Sequence, residues 1–261
     1  TAAAMNAAAP RRPRAAKIGI GHFLAGCAKE RANGGGLERA GLAHVLPEQL
    51  GVWSYPWPIE IDRYDDRNRF DDPAYQARMA DGEETVFNLV TGFAGTLYLS
   101  GRIDAAPPDE QARIAEAVAI VKEERGRIRR SFPFWPLGLR GIREDRAPLA
   151  LGLAEGGLAD PDRVLLCVWR RDGDDARIDL PLPALAGKGF RARQRFPTPG
   201  TGLDADLDFD DRTGALRVVL PRTNSARLLV LERRESPVGT DRPIDPRLGG
   251  SGSRGRKGEG A

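Results

Sequence analysis

The stretch EETVFNLVTGFAGTLYLS, residues 83–100, changes its hydrophobic period within a short run of the chain. Its first half carries apolar residues at helical spacing on one helical face, namely Val86, Leu89, Val90 and Phe93. Gly92 and Gly95 can end that helix, and Thr96–Leu99 then suit a short buried strand. The stretch therefore predicts a helix followed directly by a strand.

Residues 107–130 predict a second and longer helix. Pro107, Pro108 and Asp109 supply the residue types of a helix start, and Glu110 places negative charge in the first turn. Apolar residues follow at helical spacing as far as Ile128. The second half of this segment is basic, which complements the helix dipole.

Beyond an aromatic stretch at 131–146, expected to be an extended linker, the pattern becomes that of short strands separated by turns. Six strand candidates follow at 147–153, 163–171, 176–182, 189–196, 216–220 and 225–232. Short strands at regular spacing predict an antiparallel sandwich or a small barrel. The expected fold class is therefore α/β followed by all-β.

Upstream of residue 83 the pattern is weaker. Residues 37–60 include the phrase Trp53-Ser54-Tyr55-Pro56-Trp57-Pro58, which we expect to be a structured loop because its prolines favour extended neighbours. The charge-dense run at 61–82 suits a surface insertion. We divide the chain into a disordered lead-in, a helix–strand unit, a β-sandwich and a disordered tail, at 1–36, 37–140, 141–235 and 236–261.

Composition excludes several classes of protein. Lys plus Arg number 40 against 37 for Asp plus Glu, a balance that gives no reason to expect a nucleic-acid partner. Two cysteines and two histidines make a disulfide framework, a zinc quartet or an imidazole metal site improbable, so no metal or cofactor is expected.

No apolar run reaches the roughly 18 residues that span a bilayer. A cytoplasmic location is expected, since Leu24–Cys27 is only a weak match to a lipoprotein cleavage site.

The aromatic phrase supplies the candidate binding residues, Trp53, Tyr55 and Trp57. Such rings can stack on the apolar faces of sugars, or they can fill a core as packing residues. Glycoside hydrolysis needs two positioned carboxylates. Of the acidic residues, Glu48 and Glu60 flank the aromatic phrase, and Asp104 follows the predicted strand, but each also suits a surface or a capping role. No catalytic residue is assigned.

Four phrases together resemble the bacterial α-galactosidases of the melibiase-like glycoside hydrolase family 36, in clan D. LPEQLGVWSYPWP at 46–58 resembles a run late in the family's catalytic barrel. FNLVTGFAGTLYLSGRID at 87–104 is similar to its closing helix and last barrel strand. PFWPLGL at 133–139 and VLLCVWRR at 164–171 are similar to the exit from the barrel and to an early strand of the C-terminal β domain. The resemblance covers about residues 37–235, apart from the charged run at 61–82.

The resemblance implies the C-terminal end of a (β/α)8 barrel followed by a β-sandwich. It also implies a retaining hydrolase in which one Asp is the nucleophile and another is the acid and base. The family carries these in a Lys-Trp-Asp-type and a Ser-Asp-type motif, and the sequence contains neither a Lys-Trp nor a Ser-Asp pair. We therefore expect a fragment that is inactive alone, in which the aromatic phrase remains from the rim of the sugar site.

Two functions stay open at this point. The chain is either a truncated α-galactosidase, or a non-catalytic carbohydrate-binding or accessory module that complements a partner carrying the rest of the barrel. The expected partner is an α-galactoside, provided the missing barrel is supplied, and neither nucleic acid nor a membrane. An incomplete barrel exposes sheet edges and apolar helix faces. We therefore expect residues 37–130 to be marginal when isolated, and residues 147–233 to fold on their own.

Overall fold

The computed structural model describes residues 46–57, 81–101, 103–139, 147–171 and 173–234. Within these ranges the protein is mostly β-sheet, with two α-helices. The helices are α1 (Glu83–Gly92) and α2 (Pro108–Arg130). The strands are β1 (Gly51–Trp57), β2 (Thr96–Gly101), β3 (Ser131–Phe134), β4 (Leu149–Glu155), β5 (Arg163–Arg170), β6 (Arg177–Pro181), β7 (Phe190–Phe196), β8 (Asp206–Asp210), β9 (Ala215–Val219) and β10 (Ser225–Arg233).

Strands β1 and β2 form a two-stranded parallel sheet, with α1 between them in the chain and packed on one of its faces. The pairing places Trp53 opposite Tyr98. The register shifts between Ser54 and Trp57. Pro56 lies at this shift and has no backbone N–H to give to the ladder, which accounts for the irregularity.

The remaining strands form two antiparallel sheets. The larger has the order β3-β4-β5-β10-β7 and the smaller the order β6-β9-β8. Alternate residues on β5 point to opposite faces of the larger sheet. Val164, Leu166 and Val168 pack towards the smaller sheet, whereas Leu165, Cys167 and Trp169 pack towards the helices. The larger sheet is therefore covered on both faces, by the smaller sheet and by the helical layer.

Two polar contacts fix α1 on the larger sheet. Arg227 on β10 donates through both terminal nitrogens to the carboxylate of Glu83, at 2.7 and 2.8 Å, and both residues are buried. The indole N–H of Trp169 donates to the Thr91 hydroxyl at 3.3 Å. These bonds join the first and last turns of α1 to neighbouring strands of one sheet.

The helix α2 is joined to the same sheet by a second group of ion pairs. Glu124 is fully buried and is paired with Arg163 on β5 and with Arg127 one turn along its own helix. Arg163 also contacts Glu232 on β10 at 2.6 Å. The buried carboxylate of α2 is thus compensated by guanidinium groups from two different elements.

The sequence predicted most elements at nearly their observed positions. The two helices are confirmed, and so are the six strand candidates, which correspond to β4, β5, β6, β7, β9 and β10. A strand does follow α1, but the expectation that it is buried is wrong, because none of its residues is buried. The structured loop expected at the aromatic phrase is wrong, because residues 51–57 form strand β1. The linker expected at 131–146 begins instead with β3, which pairs with β4. The strand β8 was not predicted.

The expectation that residues 147–233 fold on their own conflicts with the packing. Nine of the sixteen buried apolar residues on β4, β5 and β10 belong to the core cluster that contains the helix residues, and the other seven to the cluster of the smaller sheet. Phe93, just after α1, packs on Phe196 at the end of β7, with ring centroids 5.8 Å apart. Removing the helices would expose this whole apolar face to water, so the two parts share one core.

Replacing Glu83 by Gln should destabilise the protein strongly. The substitution leaves the buried guanidinium of Arg227 without a counter-charge, a change that typically costs about 3–5 kcal/mol. Urea unfolding followed by circular dichroism measures the effect. The matched control is Asp179→Asn, which breaks an exposed pair with Arg177 and should leave the midpoint almost unchanged. Equal unfolding midpoints for the two variants would contradict the role of Glu83 as the counter-charge of the buried Arg227.

Replacing Phe93 by Ala should destabilise both the helical layer and the sandwich. Truncating a buried Phe typically costs about 3–5 kcal/mol, and the shared core makes the loss common to both parts. Unfolding followed by far-ultraviolet circular dichroism and by tryptophan fluorescence should give coincident transitions at a lower midpoint. The exposed Leu139→Ala variant serves as the control. Two separated transitions would show that the sandwich folds independently.

The thiol of Cys167 should be inert in the native protein. Burial raises the pKa of this thiol far above its usual value, so the reactive thiolate is scarce near pH 8. In a Cys27→Ser variant, Cys167 is the single remaining cysteine. A thiol reagent such as dithionitrobenzoate should label it only after denaturant is added. Rapid labelling of the folded variant would contradict the burial of Cys167.

Candidate functional site

The face of the parallel sheet that points away from α1 carries a group of aromatic rings, which we call the open face. Side chains alternate along a strand, and Val52, Ser54 and Pro56 are buried on the α1 side. Trp53 and Tyr98 therefore point the other way, and they are 48% and 49% exposed. Their ring centroids are 5.9 Å apart, and Tyr55 stacks on Trp53 at 6.2 Å with 21° between the planes.

The position of β1 on the helix is fixed by two hydrogen bonds. The Ser54 hydroxyl donates to the carbonyl of Asn88 at 2.9 Å, and the Thr85 hydroxyl donates to the carbonyl of Pro56 at 3.0 Å. Both donors lie on the buried side of the strand or on α1 itself. Because β1 is held from behind, the rings on its outer side project from a rigid support.

Gly51 sets the position of the Tyr98 ring. A Cβ at this position would lie 2.6 Å from Cε2 of Tyr98, well inside van der Waals contact. The ring therefore lies directly over the glycine backbone, beside Trp53. A residue with a side chain at position 51 would push Tyr98 away and change the shape of the open face.

The chemistry of the open face is aromatic and hydroxylic. By the same alternation, its members on the two strands are Gly51, Trp53, Tyr55, Thr96, Tyr98 and Ser100. No residue of 51–57 or 96–101 carries a charge, and no Val, Ile or Leu of these strands points to this side. Such a face offers ring surfaces for apolar contact and hydroxyl groups for hydrogen bonds.

The structure brings together two of the three aromatic residues singled out in the sequence. Trp53 and Tyr55 are stacked, whereas Trp57 is half-buried and packs against the core at the edge of the helical layer. The roles of all three in binding stay predictions. Tyr98 completes the group and was missed, because only the register of the parallel pair places it beside Trp53.

The acidic candidates do not form a catalytic pair in the described part of the chain. Asp104 is exposed in a short 3₁₀ turn, Ile103–Ala105. Glu48 lies in the turn before β1, and Glu60 falls outside the described residues. The buried glutamates of the described ranges each have an arginine partner: Glu83 with Arg227, Glu110 with Arg113, and Glu124 with Arg163. Each of these three carboxylates is thus held in an ion pair within the protein.

The described ranges hold no group of three or more His, Cys, Asp and Glu residues arranged to bind a metal ion. The weak lipoprotein match at Leu24–Cys27 and the two histidines, His22 and His44, lie outside the described residues. No helix among the described residues has both the length and the apolar character needed to cross a membrane.

Of the comparisons with known proteins, only the one with solved structures found matches. No family model and no curated protein matches the chain, whereas 14 chains of solved structures do. One of them is the galactosidase domain of an α-galactosidase–sucrose kinase, AgaSK, with 13% sequence identity and a TM-score of 0.44. The match covers 77% of this chain and 24% of that chain, so this protein spans about a quarter of that structure's length. A likeness at this level assigns neither an activity nor a substrate.

Proposed function

We propose that the chain is the C-terminal portion of an α-galactosidase-type glycoside hydrolase, and that it does not hydrolyse α-galactosides by itself. In this proposal β1, α1, β2 and α2 are the last units of a (β/α)8 barrel, and the antiparallel sheets are the β-sandwich that follows it. The proposal includes a cytoplasmic location and a carbohydrate ligand, without nucleic acid or membrane as a partner.

One observation carries the proposal. The phrases GVWSYPW and TLYLSG, which the resemblance assigns to the late part of a barrel, are neighbouring parallel strands joined through a helix. A parallel strand, a crossover helix and the next parallel strand are the repeating unit of a (β/α)8 barrel. All-parallel sheets occur almost only in α/β proteins, the class to which (β/α)8 barrels belong.

The lack of hydrolysis follows from the missing carboxylates. A retaining glycosidase needs two carboxyl groups about 5–5.5 Å apart on either side of the bond that is cleaved. The two motifs that carry them in the family do not occur anywhere in the sequence. On the two strands of the open face there is no acidic residue at all.

A second candidate function is an accessory module that complements a separate polypeptide carrying the rest of the barrel. The outer edge of β1 favours it. In a parallel ladder alternate residues direct their backbone groups to the same side. Since the Leu50 carbonyl accepts from Thr96, the N–H and C=O groups of Gly51, Trp53 and Tyr55 point away from β2. Within the part of the chain that the structure describes, no other strand pairs with this edge of β1, and an edge of this kind can pair with a further strand.

The purified chain should give no turnover of nitrophenyl α-galactoside above a mock purification from cells without the gene. The expected rate is zero because neither carboxylate is present. Turnover that follows the chain through successive purification steps would disprove the claim. If the chain hydrolyses the substrate only after a separately encoded barrel fragment is added, the hypothesis of an accessory module is correct and that of a truncated enzyme is wrong. The DNA upstream of Thr1 shows whether such a fragment is encoded there.

A further inference from the structure

We infer that the chain forms a homodimer in which the outer edges of two β2 strands pair in antiparallel orientation, with a two-fold axis at Tyr98. The outer edge of β2 is the one that does not pair with β1, and no other strand in the described part of the chain pairs with it. The inference goes beyond the proposed function and does not depend on it, because it requires only that this edge is free.

The sequence of β2 has nearly the same residue types in both directions. With the glycine that precedes the strand, it is Gly95-Thr96-Leu97-Tyr98-Leu99-Ser100-Gly101. Antiparallel pairing about the tyrosine places glycine opposite glycine, hydroxyl residue opposite hydroxyl residue, leucine opposite leucine and tyrosine opposite tyrosine. A two-fold interface requires a surface that is complementary to itself in this way. The strand therefore matches a second copy of itself.

The backbone of β2 presents its hydrogen-bonding groups in the register that this pairing needs. The Thr96 N–H donates to the Leu50 carbonyl, and alternate residues of a parallel ladder direct their backbone groups to the same side. The N–H and C=O groups of Leu97 and Leu99 therefore point away from β1. Pairing about Tyr98 places Leu97 of one copy opposite Leu99 of the other, so that each N–H donates to the carbonyl across the axis.

The side chains along this edge are apolar and poorly covered. No residue of β2 is buried, and Tyr98 is 49% exposed. In the dimer Tyr98 lies between hydrogen-bonded pairs, where opposite Cα atoms approach to about 4.5 Å, so the two tyrosines become neighbours on the open face. The leucines of the two copies become neighbours on the other face. Apolar and aromatic pairs across neighbouring strands favour their association.

The edge strands of the antiparallel sheets are protected against such pairing. These strands are β3, β7, β6 and β8. Strand β3 has only four residues and contains Pro133, and β6 ends at Pro181. The other two carry charge at alternate positions, namely Arg191, Arg193 and Arg195 on β7 and Asp206, Asp208 and Asp210 on β8. Proline and charge discourage the addition of a strand, and β2 contains neither.

The contact between the two copies is small. A six-residue strand edge is short beside the interfaces of about 1,200–2,000 Å² that stable complexes bury. We therefore expect an equilibrium between monomer and dimer that shifts with protein concentration.

Sedimentation equilibrium of the full chain over a range of concentrations tests the inference. The original chain should show a monomer–dimer equilibrium. Tyr98→Lys places like charges opposite each other at the axis and should weaken the dimer about tenfold or more, whereas Tyr98→Phe keeps the ring and should leave it unchanged. Trp53→Lys is the matched control, because Trp53 is equally exposed on the same face but lies on β1. This variant should dimerise like the original chain.

Disulfide cross-linking tests the register of the pairing. In a Cys27→Ser background, Tyr98→Cys should give a cross-linked dimer under mild oxidation, because opposite Cα atoms at the axis lie within disulfide range. Thr96→Cys should not, because Ser100 of the second copy lies opposite it. Electrophoresis without reductant measures the cross-linked fraction.

Three results would overturn the inference. They are a monomer at every concentration, a dimer that Tyr98→Lys leaves unchanged, and a dimer that Trp53→Lys weakens as much as Tyr98→Lys does. The last result would place the contact on the open face rather than at the edge of β2. Circular dichroism shows that each variant is folded before it is measured. None of these measurements involves hydrolysis of nitrophenyl α-galactoside, so this inference and the proposed function can fail separately.

Discussion

The five-stranded sheet has to be covered on both faces, and the rest of the molecule is arranged to meet that requirement. Its central strands β5 and β10 are apolar on both sides, so the smaller sheet alone cannot remove them from water. The helices α1 and α2 form the second cover. Because α1 also carries the parallel pair on its far side, the open face is the outermost layer of a stack that begins at this sheet.

Polar groups at the boundary between helices and sheet fix how the layers meet. Hydrophobic contact alone would tolerate several orientations of α1, since it is non-directional. The pair between Glu83 and Arg227 and the bond from Trp169 to Thr91 have definite geometry. They hold α1, and through it the strand that carries Trp53. The aromatic group at the surface thus depends on contacts buried two layers below it.

Local periodicity explains which elements were predictable. Helix α1 and strand β2 follow from the change of period at Gly92–Gly95, and β5 and β10 from their continuous apolar runs. Strand β1 was missed because prolines within and after it suggested a loop, although an edge strand accepts proline. Strand β8 was missed because its alternating aspartates are uncommon in sheets. They are tolerated because they lie on the solvent side.

The candidate site was only partly visible in the sequence for a different reason. The closeness of Trp53 and Tyr55 follows from their spacing along one strand. The place of Tyr98 beside them depends on a register between segments more than 40 residues apart, and no local pattern encodes such a pairing. The same limit applies to Trp57, which packs against the core beyond the register shift between Ser54 and Trp57.

The order of the strands in the larger sheet has a consequence for synthesis on the ribosome. Strand β10 lies between β5 and β7, yet it is translated after every other strand of both antiparallel sheets. Until it emerges, β5 and β7 have no common neighbour, and Glu83 has no partner. At roughly 5–20 residues per second, the interval from β5 to β10 lasts several seconds. During that interval β5 is paired only with β4, so the nascent chain exposes one unpaired edge of an apolar strand, a feature that chaperones shield in folding chains.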